Sequence, residues 1–209
     1  MKRFPRVTML LFAAAMLAAG HPAASEPPSG AGKRAPRTLS GFTLGADIKT
    51  VRARLRMETL MPVRYAETMK EVEAVTLPGV KTALVTFSTC RYPDRILRIK
   101  VKYADTGLEF HEKLLAALTR RFGKPGQWLG DPFGIVKSWK WNFTDEKGHR
   151  ISLIVSHNAE SEDERVGNTA KLTDVTAMME EEACHDARDR AKKIPPPPPS
   201  PPVESLLPY

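Results

Sequence analysis

In the stretch Arg95-Ile96-Leu97-Arg98-Ile99-Lys100-Val101-Lys102-Tyr103, Leu97, Ile99, Val101 and Tyr103 fall on one side of an extended chain. Arg98, Lys100 and Lys102 fall on the other. A period of two with one apolar and one charged side is the pattern of an antiparallel strand that packs one face and wets the other; a parallel strand, covered on both faces, reads as a continuous apolar run. This segment therefore sets the expectation of an antiparallel sheet, and its neighbours extend it. Upstream, Tyr92-Pro93-Asp94 and Pro78-Gly79 mark turns between strand-like segments at residues 82–90, 71–77 and 63–66. Downstream, residues 135–143 and 149–157 form a hairpin pattern around a turn at residues 145–148, with Trp139, Trp141 and Phe143 on one side.

Three helices frame these strands. Asp47 caps a first one, with Ile48, Val51 and Leu55 on the core stripe and Lys49, Arg52 and Arg56 beside it. Thr106-Gly107-Leu108-Glu109 reads as a capping box for the second, whose Leu108, His111, Leu115, Leu118 and Phe122 share a face and which Gly123 and Pro125 end. After a charged loop at residues 160–165, Thr173 or Asp174 caps the third, which runs to about residue 193 with Val175, Met178, Met179, Ala183 and Ala187 inward. The expected class is α+β: an antiparallel sheet with about three helices packed on it, in two halves of one plan, a helix followed by strands.

The ends of the chain have a different character. Lys2, Arg3 and Arg6, an apolar run at residues 9–19, and small residues at Ala18-Ala19-Gly20 and Ala23-Ala24-Ser25 form the three-part layout of a signal peptide over residues 1–25. The apolar run is about half the roughly 20 residues that a membrane-spanning helix needs, which favours a cleaved leader over an uncleaved anchor. A linker at residues 26–38 leads into the domain at residues 39–194, and a proline-rich tail at residues 195–209 closes the chain. The tail reads as a polyproline II spacer carrying the apolar end Val203-Glu204-Ser205-Leu206-Leu207-Pro208-Tyr209, either a docking tag or a disordered terminus. The expected location is periplasmic or secreted.

The chain carries 32 basic and 24 acidic residues, a formal net charge of +8. Six of the basic residues lie at or before Arg37, so the domain itself is only mildly positive, with no tract built to neutralise phosphates. Nucleic acid is disfavoured as a partner. The two cysteines, Cys90 and Cys184, are expected to pair in an oxidising compartment, rather than to act as a redox pair, which ordinarily sits as Cys-x-x-Cys. In the chain-entropy view, closing so long a loop stabilises the fold by about 4–5 kcal/mol.

Leu44-Gly45-Ala46-Asp47 followed by Val51 and Leu55, together with Arg121-Phe122-Gly123-Lys124-Pro125, resembles the helix opening and helix ending of small secreted bacterial domains similar to the β-lactamase-inhibitor protein and the outer-membrane assembly lipoproteins. The two motifs flank a single helix in that family and belong to different helices here, and the lipid-bearing cysteine of the lipoproteins is missing. The resemblance implies an interaction module rather than an enzyme.

Nucleophile-elbow, zinc-protease, phosphate-loop and dinucleotide motifs are all missing from the sequence. His111, His149, His157 and His185 are scattered, and the adjacent Cys184 and His185 project about 100° apart on a helix, which suits no shared metal. No metal or cofactor is expected. Two surfaces are candidates. Arg98, Lys100 and Lys102 form a ladder of cations about 6.6 Å apart, either an anionic-ligand face or the solvated side of a strand. Trp139, Trp141 and Phe143 form either an aromatic platform for sugar rings or part of the core. The expected function is that of an exported, non-catalytic binding or structural module of the bacterial cell envelope that contacts another protein, with anionic lipid or glycan as further ligands; the alternative is an exported enzyme without a recognisable motif.

Overall fold

The computed structural model describes residues 34–63, 66–159 and 167–192. The leader, the linker up to residue 33, residues 64–65 of the expected strand at 63–66, the charged run at residues 160–165 and the proline-rich tail lie outside the described residues. In chain order, two short strands, β1 (Thr38–Leu39) and β2 (Phe42–Thr43), precede a 3-10 helix at Ile48–Arg54. Then come β3 (Leu55–Val63), β4 (Ala66–Ala74), β5 (Val80–Ser88) and β6 (Ile96–Tyr103). The helix α1 (Leu108–Phe122) leads to β7 (Gln127–Trp128), β8 (Val136–Thr144), β9 (Arg150–Asn158), β10 (Gly167–Asp174) and the last helix, α2 (Val175–Lys192).

Eight strands form one antiparallel sheet in the order β3-β4-β5-β6-β10-β9-β8-β7. The fold is thus α+β, and the sheet consists of two four-strand meanders, each preceded by a helix, that meet where β6 pairs with β10. Val72, Val85, Ile99, Leu172, Val155 and Trp141 lie buried in the main core, which α1 and the segment from Ala35 to Leu55 cover. The edges are blunted as soluble sheets require: β7 has two residues, and β3 carries Pro62 and two irregularities in its pairing with β4.

The deciding strand keeps its alternation from Arg98 onward, with Ile99 and Val101 buried and Lys100 exposed. Leu97 departs from it. Thr86 pairs with Arg98 but Phe87 with Ile96, so Leu97 is the extra residue of a β-bulge and joins Met69 and Ala177 in a small satellite cluster beneath α2.

Several local expectations are corrected. Asp47 does cap a helix, its carboxylate accepting the Lys49 N–H at 2.9 Å, but the helix is a 3-10 segment of seven residues that stops before Leu55. Leu55 opens β3 instead. Thr106 makes no side-chain cap; the N-cap is Gly107, whose N–H is taken by the Asp105 carboxylate. Helix α1 ends as read, at Gly123, which has φ +85° and needs no Cβ there. Asp174 caps α2 by accepting the Ala177 N–H, yet the buried residues of α2 are Ala177 and Glu181, whereas Met179, Ala183 and Ala187 are exposed.

A polar anchor explains that helix. Glu181 has no solvent exposure, and its carboxylate accepts the Ser88 hydroxyl at 2.5 Å and the N–H groups of Thr89, Cys90 and Arg91 at 2.6, 2.7 and 2.7 Å. Burial pushes its pKa up, but the Ser88 hydroxyl and these backbone donors together outweigh it and hold the carboxyl below the ordinary range. One turn on, the disulfide Cys90–Cys184 ties the same loop to α2 with 6.0 Å between Cα atoms. The expected covalent link between the last helix and the sheet is present, doubled by a buried carboxylate. Among the described residues no helix is long and apolar enough to cross a membrane.

Candidate functional site

The sheet face turned away from α1 is basic, and its geometry follows from strand register. Lys100 on β6 stands directly opposite Lys171 on β10. Lys171 faces Ile154 on β9, and Ile154 faces Lys140 on β8. Three lysines therefore lie along one row across four adjacent strands. Cβ atoms of directly opposed residues are about 4.5–5.5 Å apart, close enough for like charges to repel at a cost of roughly 0.2–1 kcal/mol. Lys171 registers the crowding: burial, then the charges of Arg98, Lys100 and Lys140, push its pKa down. Among the described residues no carboxylate pairs with Lys100, Lys140 or Lys171.

The rest of the face supplies hydrogen-bonding groups. A groove of about 490 Å³ runs between Lys81, Lys100 and Lys102 on one side and Ser156, Asn158 and Thr169 on the other. Ser156 shares a 2.7 Å hydrogen bond with Ser138 on the neighbouring strand. At the opposite end of the ladder Arg98 is already satisfied: it lies 3.4 Å from the Glu71 carboxylate and donates to the Thr86 hydroxyl at 3.2 Å. Of the ladder Arg98, Lys100 and Lys102, the structure keeps Lys100 and Lys102 on the groove, commits Arg98 to Glu71, and adds Lys171 and Lys140 from two other strands.

The aromatic triplet divides. Trp141 is fully buried, its indole N–H donating to the Gly123 carbonyl at 2.8 Å, and Phe143 is buried edge-on against Phe122 at 5.4 Å. These two are core, because inward positions on β8 meet the end of α1. Only Trp139 stays partly exposed, in T-shaped contact with Trp128 at 4.6 Å. A three-ring platform for sugars does not form.

Among the described residues, hydroxyl, imidazole and carboxylate meet at Thr89, His185 and Glu181, but their wiring does not suit nucleophilic catalysis. The Thr89 hydroxyl and the Glu181 carboxylate both approach Nε2 of His185, at 3.0 and 3.2 Å. A base that takes a proton from a hydroxyl through one ring nitrogen needs its carboxylate on the other. Among the described residues no three His, Cys, Asp or Glu side chains are grouped to hold a metal ion.

Lys140 escaped the sequence reading although it alternates with Trp139 and Trp141, because register to β6 cannot be read from one strand. Lys171 escaped because β10 was not foreseen: its inward residues Asn168, Ala170 and Asp174 are polar or small, and only Leu172 is large and apolar. The alternation of Thr169, Lys171 and Thr173 with buried neighbours was its one signal.

What these features define is an α+β domain with α1 on a buried sheet face, and with the other face covered at one end by α2 and cationic beyond it. No family model, curated protein or solved structure matches the chain.

Proposed function

We propose that the protein is an exported, non-catalytic binding module of the cell envelope and that its outer sheet face docks an acidic surface of another protein. The observation that carries this reading is the row Lys100, Lys171 and Lys140. Placing Lys100 directly opposite Lys171, with Lys140 one strand beyond Ile154, weakens a sheet, and the arrangement makes physical sense when an anionic partner relieves the repulsion. Paired strand register holds the cations at fixed spacing, so a complementary array of carboxylates meets them without ordering flexible loops. The leader-like start and the disulfide support an oxidising destination.

The test combines stability with binding. In Lys100→Gln/Lys140→Gln/Lys171→Met, relief of like-charge crowding raises stability by about 0.5–1 kcal/mol at low salt. Capture of a defined acidic protein from the envelope fraction, salt-sensitive with the wild type, is lost with the variant. An unchanged capture sinks the reading, and binding of the wild type to phosphatidylglycerol vesicles instead makes anionic lipid the partner.

A further inference from the structure

An aromatic corner stands in the open at the β7 edge of the sheet, independent of the basic row. Trp128, Leu129 and Phe133 fall within six consecutive residues and are 43%, 42% and 86% exposed. Apolar surface gathered in one place, rather than scattered singly, marks an interaction site. The corner is also held firmly. Trp128 stands directly opposite Trp139 on β8, its ring set between that indole and the backbone at Gly130, where a Cβ would meet it. Phe133 sits at the tip of a turn pinned by Asp131, whose carboxylate accepts the N–H groups of Phe133, Ile135 and Val136. Rings fixed in advance cost little to order when a ligand arrives.

The chain itself carries a ligand of matching chemistry. Residues 195–202 are seven prolines and one serine. Such a run favours the polyproline II helix, which docks its rings on exposed aromatic side chains and loses little entropy in doing so. It carries no charge, which suits Trp128 and Phe133 rather than the lysine row. A copy's own corner is out of its reach. Helix α2 runs from β9, where the Thr176 hydroxyl accepts the Arg150 N–H, toward the end of β5, where His185 meets Thr89. Five strand steps, about 24 Å, separate β5 from β7, and Lys192 lies about 10 Å farther along the helix than His185. From Lys192 to Pro202 polyproline II extends about 31 Å, short of the roughly 34 Å to the corner. The corner also lies on the other side of the sheet, since Trp139 packs against the core beneath α1 and α2 covers the opposite face.

We propose that the aromatic corner binds the run Pro195–Pro202 of a second copy of the chain, so that copies join head to tail. The surface that gives and the surface that receives differ, so the contact does not close as a two-fold dimer and extends instead into chains. Analytical ultracentrifugation of the protein without its leader-like residues 1–25 tests this. The average mass rises continuously with concentration and shows no plateau at the dimer. Trp128→Ala and Phe133→Ser remove the receiving surface, the second at an exposed tip where the fold tolerates it, and Pro196→Gly/Pro198→Gly/Pro201→Gly removes the donated one. Each shifts self-association to roughly ten-fold higher concentration or more. Mixed in equal amounts, Trp128→Ala and the proline variant stop at a heterodimer, because one supplies the run and the other the corner. High salt leaves the association unchanged, and Lys100→Gln/Lys140→Gln/Lys171→Met associates like the wild type, which separates failure of this proposal from failure of the docking face. A wild type that stays monomeric, variants that associate as it does, or a mixture that stays monomeric overturns the proposal.

Discussion

Removing the Glu181 carboxylate tests whether a polar anchor, rather than apolar packing, holds the last helix. Glu181→Ala leaves the Ser88 hydroxyl and the N–H groups of Thr89, Cys90 and Arg91 without their acceptor, all in contact with a side chain that has no solvent exposure. Hydrogen bonds to a charged group contribute about 1.5–3 kcal/mol each, but water entering the space recovers part of the sum, so the net cost is about 3–5 kcal/mol. For a domain of this size that lowers Tm by roughly 6–20 °C. Glu181→Gln keeps the shape but turns an amide NH2 toward backbone donors, losing at least half of the same energy. The exposed neighbour change Glu182→Gln stays within about 0.5 kcal/mol. Urea unfolding of the oxidised protein supplies the numbers. The pH dependence supplies a second reading: the native carboxyl is held below its unfolded value, so its contribution is full above about pH 4.3 and is lost as pH falls through the native pKa. Wild type should therefore lose up to about 1.4 kcal/mol per pH unit more than Glu181→Gln in that window. A Glu181→Ala protein within 1 kcal/mol of wild type, or parallel acid limbs, would refute the anchor.

Two further outcomes follow from buried or crowded groups. His111 is buried with neither ring nitrogen hydrogen-bonded, and burial, then the charge of His157, pushes its pKa down. It therefore adds stability that is full above about pH 6.5 and is lost as pH falls toward its native pKa; His111→Leu should raise the unfolding midpoint more at pH 5.5 than at pH 8, and an equal gain at both would count against a buried neutral imidazole. Gly130 lies under the Trp128 ring, where a Cβ would meet the indole at 2.1 Å and the Val136 carbonyl at 2.4 Å. Gly130→Ala should cost about 1–3 kcal/mol and shift tryptophan emission as Trp128 is displaced from Trp139; unchanged emission would mean that the loop yields elsewhere.

Much of this architecture was legible because it rests on local rules. Ile99, Val101, Lys100 and Lys102 alternate as a half-buried strand must, Gly123 ends α1 where a positive φ is needed, and two cysteines far apart in sequence have only each other to pair with. What escaped depended on distant parts of the chain. Leu97 looks inward by parity and is turned aside by a bulge whose cause lies in pairing with β5. Met179 and Ala183 read as a core stripe, but the partner of α2 is a loop of backbone amides, which a carboxylate satisfies and a methionine does not. Of the basic row, only Lys100 was visible; Lys140 needed the register across two intervening strands, and Lys171 needed a strand whose inward side is formed by Asn168, Ala170, Leu172 and Asp174.

Every neighbouring pair of strands in the main sheet is consecutive in the chain except β6 and β10. That seam sets an order of assembly during synthesis from the N-terminus. The first meander is complete once Tyr103 has emerged, built wholly from short-range hairpins that close early. From then until residue 167 appears, β6 is an unpaired edge and Met69 and Leu97 have no helix over them. Cys90 remains a free thiol until Cys184 follows, some 94 residues later. The last helix therefore acts as a latch thrown by the late half of the chain onto the early half, and the interval before it closes is when the protein offers an open strand to any other chain within reach.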